Sequence, residues 1–110
     1  MALVPLPQSD GLLKPRPVIL LRNLPPFGDW LVCGVSTQLH HEVSGFDERI
    51  DASKSDFAES GLKAQSLIRL GFLAVLPANK FMGVIGSISN ERHRRLTLKL
   101  ADFISRGNIS

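Results

Sequence analysis

The sequence predicts a small, mainly β domain with a single C-terminal helix, and three observations point to it. Short segments rich in Val, Ile and Leu recur up to about residue 88, and turns bearing Pro and Gly separate them. Only after about Asn90 do apolar residues return at spacings of three and four. A chain of 110 residues with 44% apolar content can furnish one core but not two, so residues 1–110 are read as one domain. Short strands leave exposed edges unless they close on themselves, which makes a small barrel the expected arrangement.

The first strand is expected over Ala2 to Leu6, followed by a loop from Pro7 to Pro15 with turn chemistry at Ser9-Asp10-Gly11. Pro17 cannot donate to a ladder and holds Arg16 extended, so it suits the first residue of a second strand whose run Val18 to Leu21 is buried. Pro25, Pro26 and Gly28 turn that strand into a third, Trp30 to Ser36, as an antiparallel neighbour. A polar loop then leads to a weakly extended stretch at Arg49-Ile50 and one irregular helical turn within Asp51 to Ser60. Gln65 to Leu70 alternates as a strand, with Ser66, Ile68 and Leu70 on one face and Leu67 and Arg69 on the other. Phe72 to Leu76 and Gly83 to Ile88 complete the extended segments. The terminal helix carries a stripe of Leu96, Leu100, Phe103 and Ile104, with Ser89 or Asn90 to cap its start and Gly107 its end.

Composition narrows the function classes. Cys33 is the sole cysteine, which excludes an intrachain disulfide and a cysteine-rich metal cluster and suits a reducing cytoplasm. Met1 to Asp10 lacks the pattern of a signal peptide, and the longest oily stretch, Leu70 to Gly86, is broken by Pro77, Asn79 and Lys80, so no membrane partner is expected. Thirteen basic against ten acidic residues give a net charge of +3, which favours phosphate-bearing partners. His40 and His41 are adjacent, so on a strand they would face opposite ways, and His93 lies far along the chain; no metal is expected.

Two segments carry residues suited to phosphate chemistry. In Lys14-Pro15-Arg16-Pro17 the prolines fix the backbone around a guanidinium, which can grip a phosphodiester with two hydrogen bonds and stabilise charge on it. The alternative is an ordinary surface arginine. Ser36-Thr37-Gln38 ends a core strand with two hydroxyls and an amide, all able to bind phosphate or base edges, or simply to begin a loop. On antiparallel neighbours a strand start and a strand end fall at the same end of the sheet, so the two segments are expected to meet. Arg92-His93-Arg94-Arg95 is a third basic run, readable as a nucleic-acid contact or as a solvated face. Trp30, Phe27 and Phe81 are too few and scattered for a base-stacking platform, and most of them are expected in the core.

In order and spacing these segments resemble the MazF/PemK family of toxin ribonucleases. Its members typically open with a Gly-Asp strand followed by text like Ala2-Leu3-Val4-Pro5-Leu6-Pro7, then a Lys/Arg-x-Arg-Pro strand start like Lys14 to Leu21. A strand ending in hydroxyls follows, like Val32-Cys33-Gly34-Val35-Ser36-Thr37-Gln38. Ser66 to Leu70 resembles the family's later strand and Ile85 to Ile104 its closing strand and helix, so the likeness spans nearly the whole chain.

The resemblance implies an SH3-like barrel of the CcdB/MazF type that forms a homodimer, cleaves single-stranded RNA such as mRNA without a metal or other cofactor, and is neutralised by a cognate antitoxin. It puts Arg16 and Ser36 at the catalytic centre, with Lys14, Thr37, Gln38, Arg69 and His40 binding substrate. Three departures stand out. Serine replaces the usual threonine at position 36, and Gly71 occupies a place where some members carry an acidic residue that moves protons. The chain also starts at Met1 where relatives carry several more residues, which implies either a shortened first strand or a misplaced start site. His40 or His41 is a candidate for the vacant acid or base role. Two other readings follow from the same likeness: a non-catalytic nucleic-acid- or protein-binding domain, and a gyrase inhibitor like the similarly folded CcdB toxins.

Overall fold

The computed structural model describes residues 1–7 and 11–107. Its strands are β1 (Ala2–Pro7), β2 (Leu13–Leu24), β3 (Asp29–Ser36), β4 (Glu48–Ile50), β5 (Ser66–Leu76) and β6 (Gly83–Val84). A one-turn helix α1 (Phe57–Ser60) precedes β5, and the long helix α2 (Asn90–Ser105) closes the fold. The strands form one antiparallel sheet in the order β4-β5-β3-β2-β1-β6, so the molecule is mainly β with a C-terminal helix. Among the described residues no ladder joins the edge strands β4 and β6, and the sheet is open between them.

The short β6 explains the opening. An extended run to Ile88 was expected, but residues after Val84 leave the sheet to dock the helical turn α1. Ile85 N–H donates to the Met1 carbonyl at 3.2 Å, and Ser87 N–H to the Glu59 carbonyl at 2.8 Å. Backbones meet so closely here that a Cβ on Gly86 would lie 2.3 Å from the Glu59 carbonyl oxygen. Because the obstacle is backbone, Gly86→Ala is expected to cost about 1–3 kcal/mol of stability, read as a lowered urea midpoint.

β2 differs from expectation at its start. Arg16 is the fourth residue of a 12-residue strand, and Pro15 and Pro17 sit inside it. Pro15 pairs with Pro5 and Pro17 with Leu3 across the β1–β2 ladder. A pair of prolines can only occupy a position where no hydrogen bonds are exchanged, so their missing N–H groups cost the ladder nothing. β1 itself pairs with β2 over its full length, Ala2 to Pro7. Ser9 and Asp10 of the expected turn lie outside the described residues; Gly11 just after them has a φ of 82°, open to glycine and strained for other residues.

The continuous apolar run in β2 is buried on both faces. Ile19, Leu21, Cys33, Val35, Ile50, Ile68 and Leu70 meet Leu96 and Leu100 of α2 on one face. On the other, Val4, Val18 and Val32 pack with Leu20, Trp30, Ala74, Leu76 and Phe81. Burial on both faces is why these segments read as uninterrupted hydrophobic runs instead of alternating ones. Of the three aromatics, Trp30 and Phe81 pack against this second cluster, whereas Phe27 is at the tip of the β2–β3 turn and 86% exposed. Phe103 and Ile104 also lie largely outside the core, although Phe103 keeps a ring contact with Phe46 at 4.8 Å.

The Ser89 hydroxyl caps α2 by accepting from Arg92 N–H at 3.1 Å, and Gly107 N–H closes the far end on the Ile104 carbonyl at 3.1 Å. The basic run of this helix divides, with Arg94 and Arg95 exposed and Arg92 turned inward. Arg92 is buried and donates through Nε to Asp56 at 2.8 Å and through Nη1 to Glu48 at 2.9 Å. Arg95 and Lys99 also reach Glu48, each at 2.9 Å, so three cations of one helix face hold the segment from β4 to α1 against it. His93 lies beside this network with Nε2 at 3.0 Å from the Leu20 carbonyl, to which it donates. Only Arg94 of the run has no such engagement among the described contacts.

Candidate active site at the split end of the sheet

Arg16 and Ser36 flank a split between β2 and β3. The β2–β3 ladder ends at the rung Val18↔Gly34, although both strands continue. Beyond that rung β2 stays with β1, where Arg16 pairs with Val4, while β3 stays with β5, where Ser36 pairs with Leu67. Two residues past the last rung in each strand are Arg16 and Ser36, so the register sets them across from each other on one face. Lys14 stands two residues further along the same face of β2. The two expected segments therefore come to the same end of the sheet.

A third cation joins them from β5. Arg69 is the cross-strand partner of Gly34, which places it on the face of Ser36 and Arg16. Next to it the β3–β5 register jumps: Cys33 pairs with Leu73 and Gly34 with Arg69, so Leu70, Gly71 and Phe72 bulge without partners on β3. The two apolar segments expected in this region are one strand interrupted by that bulge. Asp47 holds it, accepting from Leu70 N–H through Oδ1 at 3.1 Å and from Val43 N–H through Oδ2 at 2.8 Å. Asp47→Ala would strip two backbone N–H groups of their charged acceptor, with an expected loss of about 2–4 kcal/mol in denaturant titrations.

The hydroxyl of Ser36 is itself oriented. Its oxygen accepts from Gln38 N–H at 3.0 Å, which fixes the side chain and leaves the hydroxyl proton to donate outward. Thr37 and Gln38 are exposed just past the end of β3. His40 and His41 follow on a single 3-10 turn, Leu39–His41, where their ring centroids lie 4.2 Å apart; adjacency on a turn, not a strand, brings them to one side. Gly71 is exposed on the bulge, and a Cβ there would meet nothing nearer than Phe46 Cε2 at 4.0 Å. The place has room for a side chain that the chain does not supply.

Phe72 belongs by sequence to an apolar segment, with nothing local to mark it as part of this face. The ring is 41% exposed and lies against Gly34, with the Arg69 guanidinium carbon 5.8 Å from its centroid. The available signal was Gly34 itself, a glycine inside a core strand, which often marks close approach by another group. Cys33, one residue away, points into the core: burial, with the Asp47 charge adding to it, pushes its thiol up to about 12, so it stays protonated and unreactive. Compared with known proteins, the sequence matches no family model and no curated protein.

Proposed function

We propose that the protein is a metal-independent endoribonuclease acting on single-stranded RNA, the toxin of a type II toxin–antitoxin pair, with an SH3-like fold of the MazF/CcdB kind. The observation that carries this reading is the split sheet end, with an arginine and an oriented hydroxyl on opposite lips and a second arginine on the same face. In the reaction the ribose 2′-hydroxyl attacks the adjacent phosphorus, the bond to the 5′-oxygen breaks, and the products are a 2′,3′-cyclic phosphate and a 5′-hydroxyl. The proton lost by the 2′-oxygen is matched by one gained by the leaving oxygen. Arg16 stabilises charge on the phosphate oxygens, Ser36 donates its proton to one of them, and Arg69 with Lys14 holds flanking phosphates. Thr37, Gln38 and His40 line the path of the strand beyond Ser36. A homodimer, a cytoplasmic setting and an antitoxin partner belong to the same reading.

A second reading, a binding domain without catalysis, is favoured by Gly71, which leaves the bulge with no proton acceptor. RNA incubated with the protein in excess chelator separates the two. Fragments with 5′-hydroxyl ends support the nuclease; bound but intact RNA supports the binding domain; neither binding nor cleavage defeats both. Because the bulge has room, Gly71→Asp is expected to change stability by less than about 1 kcal/mol and to raise the cleavage rate. Thermal melts and initial rates measure the two effects.

A further inference from the structure

We infer that Phe72, braced by Arg69, is a stacking platform for an unpaired nucleobase of the bound strand, adjoining the phosphate position between Arg16 and Ser36. The inference rests on the RNA-binding part of the proposed function and adds a contact that phosphate chemistry alone does not require.

Three features of the ring support it. Phe72 stands on a bulge whose backbone is anchored at Leu70 by the buried Asp47 carboxylate, so the ring is presented from a fixed support. Gly34 provides the space for it: a Cβ on that residue would lie 2.8 Å from Cδ1, 3.2 Å from Cγ and 3.4 Å from Cε1 of the ring. This contact puts the ring on the same face as Ser36, Arg69 and Arg16, since Gly34 and Ser36 project to one side of β3. Finally, the guanidinium of Arg69 lies over the ring at 5.8 Å, within the range of a cation–π contact.

A large apolar ring left 41% exposed among cations has a specific use when the ligand is a single strand. Phosphates meet the cations while the flat π-surface takes a base, a combination that binds unpaired nucleic acid with little sequence preference. Phe27 provides the contrast. It is more exposed, but it sits on the β2–β3 turn, and among the described residues the cation over an aromatic ring is Arg69 over Phe72.

Anisotropy of a fluorescein-labelled single-stranded RNA bearing 2′-O-methyl sugars tests this, because that probe lacks the nucleophile and cannot be cut. Phe72→Ala is expected to weaken binding roughly five- to hundredfold, and Phe72→Leu by a similar factor, because it keeps apolar volume without a π-face. Phe72→Trp should keep wild-type affinity and show its added tryptophan emission quenched by the probe. Gly34→Ala should reproduce the loss with Phe72 still present, since the added methyl drives the ring from its place. Wild-type affinity in a folded Phe72→Ala protein, or full rescue by leucine, overturns the platform. A wild-type protein that binds this probe through Phe72 but leaves ordinary RNA intact overturns the nuclease and supports the platform; one that binds no RNA overturns both.

Discussion

Arg92→Ala is expected to lower stability by about 3–5 kcal/mol, the largest structural effect of any single substitution considered. The guanidinium is buried and gives two hydrogen bonds to Asp56, at 2.8 and 3.1 Å, and one to Glu48 at 2.9 Å. Truncation leaves Asp56 buried with no cationic partner among the described contacts, whereas Glu48 keeps Arg95 and Lys99. The damage should therefore centre on Asp56, and Asp56→Asn in the Arg92→Ala background should recover part of it. Urea titration of the three proteins measures this.

The same network fixes the pH dependence. Burial pushes both carboxyls up, but hydrogen bonds from Arg92 hold Asp56 below its ordinary value, and hydrogen bonds from Arg95 and Lys99 do the same for Glu48. A depressed carboxyl stabilises the folded state above its unfolded pKa, and that contribution is lost as pH falls through the folded one. The network thus acts fully at neutral pH and fades below the ordinary carboxylate range. The stability gap between wild type and Arg92→Ala should narrow as pH is lowered through that range.

Arg16→Ala is expected to reduce RNA cleavage about 10²- to 10³-fold, on the scale of removing one preorganised donor to a developing oxyanion. The residue is exposed on a strand gripped by β1, so folding should be little affected. Arg16→Lys should recover only a small part of the rate, because an ammonium cannot replace two parallel guanidinium hydrogen bonds. Single-turnover rates with a short RNA, alongside matched melting curves, test both variants.

The residues that made the site legible were those whose local chemistry fixes their geometry. Proline around Arg16 and an apolar run ending in Ser36-Thr37-Gln38 predict two antiparallel strands, and antiparallel pairing brings their ends together. What could not be read was long-range. The bulge at Leu70-Gly71-Phe72 depends on Asp47, more than twenty residues earlier in the chain, and no local pattern announces it. The partners of the basic run of α2 are equally remote: Glu48 stands on the three-residue β4 and Asp56 just before the one-turn α1, elements too short to show a period. The sequence likewise suggested closure into a barrel, but the residues after Val84 are diverted to dock α1, and that packing was set by Gly86 meeting another backbone.

The central claim is that Arg16 and Ser36 act on one phosphate across the split end of the sheet. A double-mutant cycle on single-turnover cleavage in chelator tests it most directly, using wild type, Arg16→Ala, Ser36→Ala and the double variant. Groups sharing one phosphate should be strongly coupled, so the double variant should be scarcely slower than Arg16→Ala alone. Rate losses that simply multiply would show the two residues acting independently and would contradict the account.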